Sequence, residues 1–274
     1  MKRTFLAVML LTGIHYVNAQ VKEGTIVYER KINMHKRIAD EQMRAMVPEF
    51  NTSKHMLLFS DSTSMYKMVP EDEAPDPFDG GGGGRRIITK FSNSDGGELY
   101  KNFALLKSIT QTDLGARTYI IEDSLRQQKW KLTDETKKIA GYNCHKAVTR
   151  QKQLVGRTMR MTTTSDGSNT KTDTVKSNTP PQSTDVEVVA WYAEDIVSPV
   201  GPENNGGLPG VILQLDINKG ETVYTATEIK KEVSKKDIKE PSKGKKVTRE
   251  EFVKMQKEAF GNMQGGGRTI RFGN

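Results

Sequence analysis

The sequence predicts a mainly β protein, built as a curved antiparallel sheet or open half-barrel with one or two short helices. Three observations lead to this fold class. Segments rich in β-branched and aromatic residues recur along the chain, and several of them alternate apolar with polar residues, which is the period of a half-buried strand. Polar stretches with glycine or proline separate these segments. The regular alternation of strands with long helices that builds parallel sheets is missing from the pattern. The strand-forming segments are 25–30, 56–59, 117–121, 186–192 and 222–229.

Residues 1–19 have the composition of a secretory signal peptide. Two basic residues precede an apolar run over 5–11, and small residues follow at 17–19. We therefore expect cleavage between Ala19 and Gln20, export from the cytoplasm, and residence in the periplasm or at the outer membrane. The apolar run is too short to cross a bilayer, which needs about 20 apolar residues.

Between the strands, the sequence predicts one helix and one hairpin. The stretch 32–46 is rich in Met, Ala, Arg and Glu, which favour helix. Segments 129–132 and 139–149 predict two paired strands, and the polar cluster 133–136 between them suits the connection of a hairpin.

Two further stretches predict flexible loops within a single domain that spans residues 20–247. The loop near 70–86 contains acidic residues, prolines and a run of glycines, and the loop near 162–185 is rich in Ser, Thr, Asn and Asp. The acidic residues of the first loop lack the spacing of an EF-hand, so calcium is not expected there. Residues 248–274 predict a short helix and a glycine-rich tail, and Thr248-x-x-Glu251 has the spacing of a capping box.

The hexapeptide Gly207-Leu208-Pro209-Gly210-Val211-Ile212 predicts a turn that leads into a strand. Pro209 presets its own φ, and Gly210 can accept the positive φ that a type II turn requires. From Val211 to Ile217 apolar and polar residues then alternate. The hexapeptide contains no nucleophile, acid, base or metal ligand, so a structural role is favoured over binding.

Composition limits the classes of partner. The net charge is +8 and the hydrophobic fraction is 35%, which is low for a compact globule and indicates exposed loops. Eight lysines and three acidic residues lie in the stretch 230–246. This stretch predicts a solvated linker, with contact to an anionic lipid surface as the functional alternative. Nucleic acid is not an expected partner of an exported protein.

Several motifs surround the hexapeptide in a recognisable order: residues 130–139 from Trp130, then Gly141-Tyr142-Asn143-Cys144-His145-Lys146-Ala147, Ala190-Trp191-Tyr192 and Gly201-Pro202. With them the chain resembles the GLPGLI family, from Tyr100 to the strand after the hexapeptide. The resemblance implies an exported Gram-negative envelope protein of unestablished function, associated with outer-membrane transport systems. The chain departs from the family in Val211, where the family name has leucine, in polar residues at 203–205, and in a polar insertion near 162–185. The motif residues, for which we expect structural roles, are Trp130, Gly141, Tyr142, Cys144, Lys146, Ala147, Trp191, Tyr192, Gly201 and Pro202, together with Gly207 to Ile212.

Cys144 is the only cysteine, so an intramolecular disulfide is excluded. His145 follows it, but consecutive side chains of a strand point to opposite faces, so the two cannot readily form a thiol–imidazole pair. We expect Cys144 to be a small buried apolar residue. The motifs of serine hydrolases, zinc peptidases and phosphate-binding loops do not occur.

Methionines and histidines form short clusters that suggest a soft-metal site. Thioether sulfur and imidazole nitrogen are ligands that select Cu(I), and Met43 and Met46 would share one face of a helix. Packing in apolar gaps is the favoured interpretation, because Met65 and Met68 in a strand would point to opposite faces. The clusters are Met34–His35, Met43–Met46, His55–Met56, Met65–Met68 and Met159–Met161.

Three functional hypotheses follow from the sequence. The leading one is a non-enzymatic binding or accessory module of an outer-membrane transport or assembly system, acting through the apolar concavity of its sheet, with peripheral membrane contact and without metal or cofactor. The second is a periplasmic copper-handling protein. The third is a hydrolase that would depend on the Cys144 thiol.

Overall fold

The structure is a computed structural model that describes residues 21–38, 41–45, 47–70, 97–125, 127–154, 160–166, 169–175 and 183–265. Within these residues the protein is mainly β, as the sequence predicts, and short helices accompany the strands. The strands are β1 (Gly24–Asn33), β2 (Phe50–Phe59), β3 (Thr63–Met68), β4 (Glu98–Asn102), β5 (Lys107–Leu114), β6 (Arg117–Ser124), β7 (Lys131–Ile139), β8 (Tyr142–Leu154), β9 (Arg160–Asp166), β10 (Asn169–Val175), β11 (Ser183–Ala193), β12 (Val211–Ile217), β13 (Thr222–Lys230) and β14 (Lys245–Val247). The helices are α1 (Met34–Arg37), α2 (Glu41–Ala45) and α3 (Arg249–Gly265), with a 3₁₀ turn at Lys235–Asp237.

Twelve strands form one open sheet in the order β14-β6-β5-β4-β3-β2-β1-β13-β12-β11-β8-β7. Its neighbouring strands are antiparallel except β14 and β6, which are parallel, so the sheet is mixed at one edge. Strands β9 and β10 form a separate hairpin. The first strand lies in the middle of the sheet and joins the N-terminal strands to the C-terminal ones through its pairing with β13.

The sheet is curled, because two of its distant strands hold the same loop. Lys101 on β4 and Gln151 on β8 lie seven strands apart in the sheet order, which would be about 34 Å in a flat sheet. Yet the Lys101 ammonium binds the carbonyl of Glu203 and the Gln151 amide binds the side chain of Asn205. These two loop residues are close neighbours in sequence, so the sheet must curve around them. This geometry agrees with the predicted open half-barrel.

The main apolar core lies inside the curve. On β1 the inward positions carry Ile26, Tyr28 and Ile32, all of which are buried, and polar residues alternate with them. The core continues over β8, β11, β12 and β13 to buried residues such as Val188 and Leu213. Burial of an apolar side chain of this size contributes about 1.5–3 kcal/mol, so this cluster is the main source of stability in a chain whose one cysteine is unpaired.

The outer face carries a smaller cluster that a lysine-rich segment covers. This segment, residues 231–246, is called the strap below. Val233 and Ile238 of the strap pack against a cluster that includes Met65 and Ile109. The strap ends in β14, beyond which α3 places Phe252 against Tyr119 of β6 at 5.7 Å between ring centroids. The lysine-rich stretch therefore crosses the outer face of the sheet, and Val233 and Ile238 anchor it there.

Helix α3 begins where the capping box predicts. The Thr248 N–H donates to Glu251 Oε2 over 2.9 Å, and the Glu251 N–H donates to Thr248 Oγ1 over 3.1 Å. These reciprocal bonds satisfy two amides that the first helical turn leaves unpaired. Among the described residues, none of the helices has the length and apolar character needed to cross a membrane.

The predicted hairpin connection at 133–136 is wrong. These residues belong to β7, and the turn lies instead at Ala140 and Gly141, whose φ angles are 48° and 86°. Leu132 pairs with Ala147 and Thr136 pairs with His145, so extra residues of β7 form a bulge. A polar sequence suits this strand because it is the edge of the sheet, where most of its side chains are exposed.

Two other predictions of local structure need correction. The single helix expected over 32–46 is replaced by the end of β1 and the short helices α1 and α2, because sheet pairing overrides helix propensity at Ile32. The stretch 162–185, predicted as a loop, contains most of the hairpin β9–β10 and the start of β11. The predicted loop at 70–86 lies almost wholly outside the described residues, as do the cleavage site and the glycine-rich tail after Gly265.

Candidate functional site

The inside of the curled sheet is occupied by residues 198–210, called the plug loop below. Ser198, Val200 and Leu208 of this loop are buried. The loop begins after the β11 strand and ends at the start of β12, so it contains most of the predicted hexapeptide. The open apolar concavity expected from the sequence is therefore filled by the chain itself.

Asn205 is the central anchor of the plug loop. Its side chain is buried, and Oδ1 accepts hydrogen bonds from the amides of Gln128, over 3.0 Å, and Gln151, over 2.8 Å. Its Nδ2 donates to the carbonyl of Pro202 over 3.2 Å. These bonds connect the loop to the segment before β7 and to β8, and they satisfy an amide that would be costly to bury alone.

Trp130 holds the next residue of the loop. Its indole Nε1–H donates to the carbonyl of Gly206 over 2.9 Å, and the Gly206 N–H donates to Gln128 Oε1 over 3.2 Å. A β-carbon at Gly206 would lie 2.5 Å from the carbonyl oxygen of Pro199, so only glycine fits here. The motif residue Trp130 is thus one of the side chains that hold the plug loop in place.

The hexapeptide is not a type II turn. Gly207 has the positive φ, 82°, while Gly210 does not. Gly210 is required for space, because a β-carbon there would lie 2.0 Å from the carbonyl oxygen of Ala193. Close backbone approach therefore explains the second glycine, and Pro209 lies in a bend between the two. The hexapeptide ends in β12, where Val211 and Ile212 are fully buried.

The remaining motif residues lie at three different places. Gly141 forms the β7–β8 turn, and Gly201 and Pro202 are buried in the plug loop. Trp191 lies outside the plug, with the Lys137 ammonium 4.1 Å and the Lys146 ammonium 6.0 Å from its ring centroid. The structure brings together around the plug loop Trp130, Gly201, Pro202 and the hexapeptide, and places elsewhere Gly141, Tyr142, Cys144, Lys146, Ala147, Trp191 and Tyr192.

Cys144 is buried, as predicted. Its Sγ lies 3.7 Å from the carbonyl oxygen of Tyr142, and burial raises the pKa of the thiol to about 11. The neighbouring His145 ring packs against Tyr192, with 5.9 Å between the ring centroids. A thiol with a raised pKa is a poor nucleophile at neutral pH, because the thiolate is the reactive form.

The methionine and histidine clusters are separated by the sheet. His55 stacks on Tyr66 inside the curve at 5.3 Å between ring centroids, while Met56 packs against the outer cluster. Met65 belongs to that outer cluster too, and the His35 Nε2 lies 2.9 Å from the carbonyl oxygen of Val47. In the part of the chain that the structure describes, no three His, Cys, Asp or Glu side chains come close enough to hold a metal. The side chains of Met43, Met46, Met159 and Met161 lie outside that description.

A polar cluster that the sequence did not predict lies beneath the plug loop. Glu203 has a positive φ of 51° and accepts a hydrogen bond from the Tyr224 hydroxyl. The buried Arg30 guanidinium lies 3.9 Å from Glu203 Oε1 and 5.7 Å from the centroid of the Tyr224 ring. Tyr66 is also buried, and its hydroxyl has no hydrogen-bond partner among the described residues. Burial, with Tyr224 and Glu203 nearby, raises the pKa of Tyr66.

Lys101 connects this cluster to β4. The side chain is buried and donates to the carbonyl of Glu203. Burial lowers the pKa of the ammonium to about 8, although the Glu203 carboxylate acts in the opposite direction. Desolvation disfavours the charged form of a lysine, so burial of this ammonium under the plug loop costs free energy.

A cleft of about 220 Å³ opens beside this cluster. Arg37 lies at its mouth, with its Nε 2.9 Å from Glu221 Oε1 and an NH2 group donating to Thr222 Oγ1 over 2.9 Å. The Oε1 atom of Gln153 is buried and has no hydrogen-bond partner among the described residues. The residues lining the cleft are Arg30, Arg37, Gln151, Lys152, Gln153, Val186, Glu203, Ile217, Thr222 and Tyr224.

One local signal could have indicated this site. Arg30 occupies the inward register of β1 that Ile26, Tyr28 and Ile32 otherwise fill, and a charged residue at such a position needs a partner. The partner itself, Glu203, is far away in sequence and has no distinguishing motif. The cleft therefore exists only once the sheet has curled around the plug loop.

Comparisons with known proteins agree with the fold and leave the activity open. A family model described as a protein of unknown function (Porph_ging) matches residues 130–214. This stretch begins at Trp130 and ends in β12, so it contains the plug loop and two of its anchors, Trp130 and Gln151. No curated protein matches the chain.

Two crystal structures of PNGF-II, in space groups C2 and P21, are similar to this chain. Their TM-scores are 0.51 and 0.50, at 16% and 15% sequence identity. Each comparison covers 87% of this chain, but only 33% and 34% of the PNGF-II chain. The chain thus spans about a third of PNGF-II, and at this identity the likeness concerns the fold alone.

Proposed function

We propose that this protein is a non-enzymatic binding module of the cell envelope, and that the cleft beside the plug loop receives a small ligand with an anionic group. The observation that supports this proposal is the lining of the cleft. Arg30, Arg37 and Lys152 contribute positive charge, and Glu203 is the one acidic residue among the lining side chains. Glu203 faces Arg30 and Glu221 pairs with Arg37, so three cations and two carboxylates leave an excess of one positive charge around the cleft.

The chemistry of the lining defines the ligand further. A guanidinium binds a carboxylate through parallel N–H donors, which gives both strength and orientation. Arg37 is 38% exposed in its side chain, so a ligand can approach it from solvent. The buried Oε1 of Gln153 offers an acceptor for a ligand N–H or O–H, and Val186 and Ile217 offer a short apolar wall. A volume of about 220 Å³ is below the roughly 300–1,000 Å³ of sites for drug-sized molecules, so the ligand is expected to be small.

The Glu203 backbone supports a binding role for the loop. A non-glycine residue with positive φ is strained and occurs often at ligand sites. Here the strain places the Glu203 carboxylate between Arg30 and Tyr224, so it is held in one position beside the cleft. The plug loop then has both a structural and a functional role, because its anchors fix Glu203, which borders the proposed ligand.

Calorimetric titration tests the proposed ligand class. The probes are citrate, glutarate and triglycine, with triglycine amide as the uncharged comparator. We expect heat of binding from at least one of the anions, and an apparent Kd at least tenfold weaker for the amide, because the amide lacks the group that the arginines bind.

The Arg37→Gln variant then assigns the binding to the cleft. It should weaken the anion about tenfold or more, while Arg150→Gln, an exposed arginine of β8, should leave the Kd unchanged. Heat from none of the anions, or equal affinities of the two variants, would contradict the proposal.

We further propose that the module is exported through residues 1–19 and serves an outer-membrane transport or assembly system, as the resemblance to the GLPGLI family implies. The matched family model covers residues 130–214, which contain most of the motifs on which the resemblance rests. The mainly β architecture and the absence of a membrane-crossing helix among the described residues are compatible with it. The buried thiol of Cys144, with its raised pKa, argues against the hydrolase hypothesis.

A further inference from the structure

The turn between β4 and β5 exposes two adjacent leucines. Leu105 is 68% exposed and Leu106 is 59% exposed, which makes them the most exposed large apolar side chains among the described residues. Single exposed apolar residues are common, but a pair at the tip of a hairpin forms a small projecting apolar surface. The turn 103–106 is called the leucine tip below.

The leucine tip is firmly held at its base. The Phe103 N–H donates to the carbonyl of Ser62 over 2.8 Å, and the Leu105 N–H donates to Asn102 Oδ1 over 2.9 Å. The Leu106 carbonyl accepts a hydrogen bond from the Leu125 N–H over 2.8 Å. The backbone of the tip is therefore ordered before any contact, so docking costs only the rotamer freedom of the two side chains.

Leu106 occupies a backbone conformation that suits other residues better. Its φ is 51°, in the left-handed region where glycine and asparagine are preferred. A leucine here is unfavourable twice, once for its backbone and once for its exposed side chain. Such an outlier points to a function of the side chain.

The strap brings positive charge to the same place. Lys107, directly after the tip, has its ammonium 3.2 Å from Glu122 of β6 and 3.4 Å from Glu240 of the strap. The strap therefore reaches the base of the tip, and the exposed Lys239 and Lys243 are close to Glu240 in sequence. Over residues 231–246 the strap contains seven lysines and three acidic residues. Together the tip and the strap form an apolar point beside a basic surface.

We propose that the leucine tip and the strap dock on the surface of a lipid bilayer that contains anionic lipids. The leucines enter the boundary between headgroups and acyl chains, and the strap lysines contact the anionic headgroups. Two leucines bury little area, so this attachment is reversible and depends on the lysines. This surface is separate from the cleft and would bring the binding module to a membrane.

Vesicle cosedimentation tests this proposal with the processed protein purified from cells that express the full sequence. Vesicles of phosphatidylglycerol and phosphatidylcholine are compared with vesicles of phosphatidylcholine alone. We expect binding to the anionic vesicles that weakens with added salt. The Leu105→Ser/Leu106→Asn variant should bind about tenfold more weakly or worse, and so should Lys239→Gln/Lys243→Gln.

Matched variants at the other edge of the sheet are the controls. Leu132→Ser and Lys131→Gln/Lys138→Gln change exposed residues of β7 and should bind like the wild type. Urea unfolding should show that Leu106→Asn alone is as stable as the wild type or more stable, since asparagine accepts positive φ. Failure of the wild type to bind anionic vesicles would overturn the proposal, as would full binding by the tip variant. If the wild type binds no vesicles but captures a protein by crosslinking, and the tip variant loses that capture, the tip contacts a protein partner instead.

Discussion

An alanine at position 210 would place its β-carbon 2.0 Å from the carbonyl oxygen of Ala193. Backbone atoms cannot rotate away, so the plug loop would have to shift from β11. We expect Gly210→Ala to lower the free energy of unfolding by about 3 kcal/mol. Gly207→Ala should cost only about 1 kcal/mol, since its φ is positive but the space around it is open. Urea unfolding of both variants shows which one loses more stability. A larger loss in Gly207→Ala than in Gly210→Ala would contradict our account of the hexapeptide.

The thiol of Cys144 gives a second prediction for a single residue. Because burial raises its pKa to about 11, the native thiol should resist an aromatic disulfide reagent at pH 8 and react at once in denaturant. The unfolded thiol loses its proton near its ordinary pKa of 9.0, so the folded state holds more protons between about pH 9 and 11. The contribution of this group to stability is complete below pH 9 and is lost as the pH rises through that window. Rapid modification of the native protein would restore the hydrolase hypothesis.

At the scale of elements, the plug loop depends on Asn205. In Asn205→Ala, the half-buried amides of Gln128 and Gln151 lose their acceptor, and each donor left unsatisfied costs up to about 1–3 kcal/mol. We expect a loss of about 3 kcal/mol in the free energy of unfolding and faster hydrogen exchange in residues 198–210. Asn143→Ala, at an exposed position of β8, is the matched control. Slow exchange in the loop of Asn205→Ala would show that other contacts hold it.

The elements also show what the sequence can predict. The strands β1, β2, β6, β11, β12 and β13 were predictable because they are rich in β-branched, aromatic or other apolar residues and several of them alternate, and the capping box located α3. Strand β7 was misread because an edge strand has no buried face to impose alternation. Gly210 was predicted to have the positive φ of a type II turn, but Gly207 has the positive φ and close packing explains Gly210.

The sequence could not predict the cleft, for a different reason. Arg30, Lys101 and Glu203 come from β1, β4 and the plug loop, and only the curled sheet brings them together. No local period or motif encodes such long-range contacts. The charged residue at an inward position of β1 is the one feature that a sequence could have offered.

At the scale of the whole molecule, crosslinking in the native host tests the proposed envelope role. The full sequence carries a C-terminal tag, and the products are fractionated and identified. We expect capture of one transport or assembly component in stoichiometric amounts, and a mass that shows cleavage between Ala19 and Gln20. The Arg150→Gln chain, changed away from the cleft, serves as the control. Recovery of the protein without any partner would contradict the accessory role.

The central position of β1 has a consequence for how the protein reaches its native state. Thr25 binds the carbonyl of Glu232, 207 residues away, and β1 pairs with β13 over most of its length. During synthesis the first strand must therefore wait for nearly the whole chain before the two halves can join. Closing so long a loop costs chain entropy before the strand pairing can offset it, and this makes folding slow. Slow folding leaves the chain extended for longer, which suits the export that we propose for it.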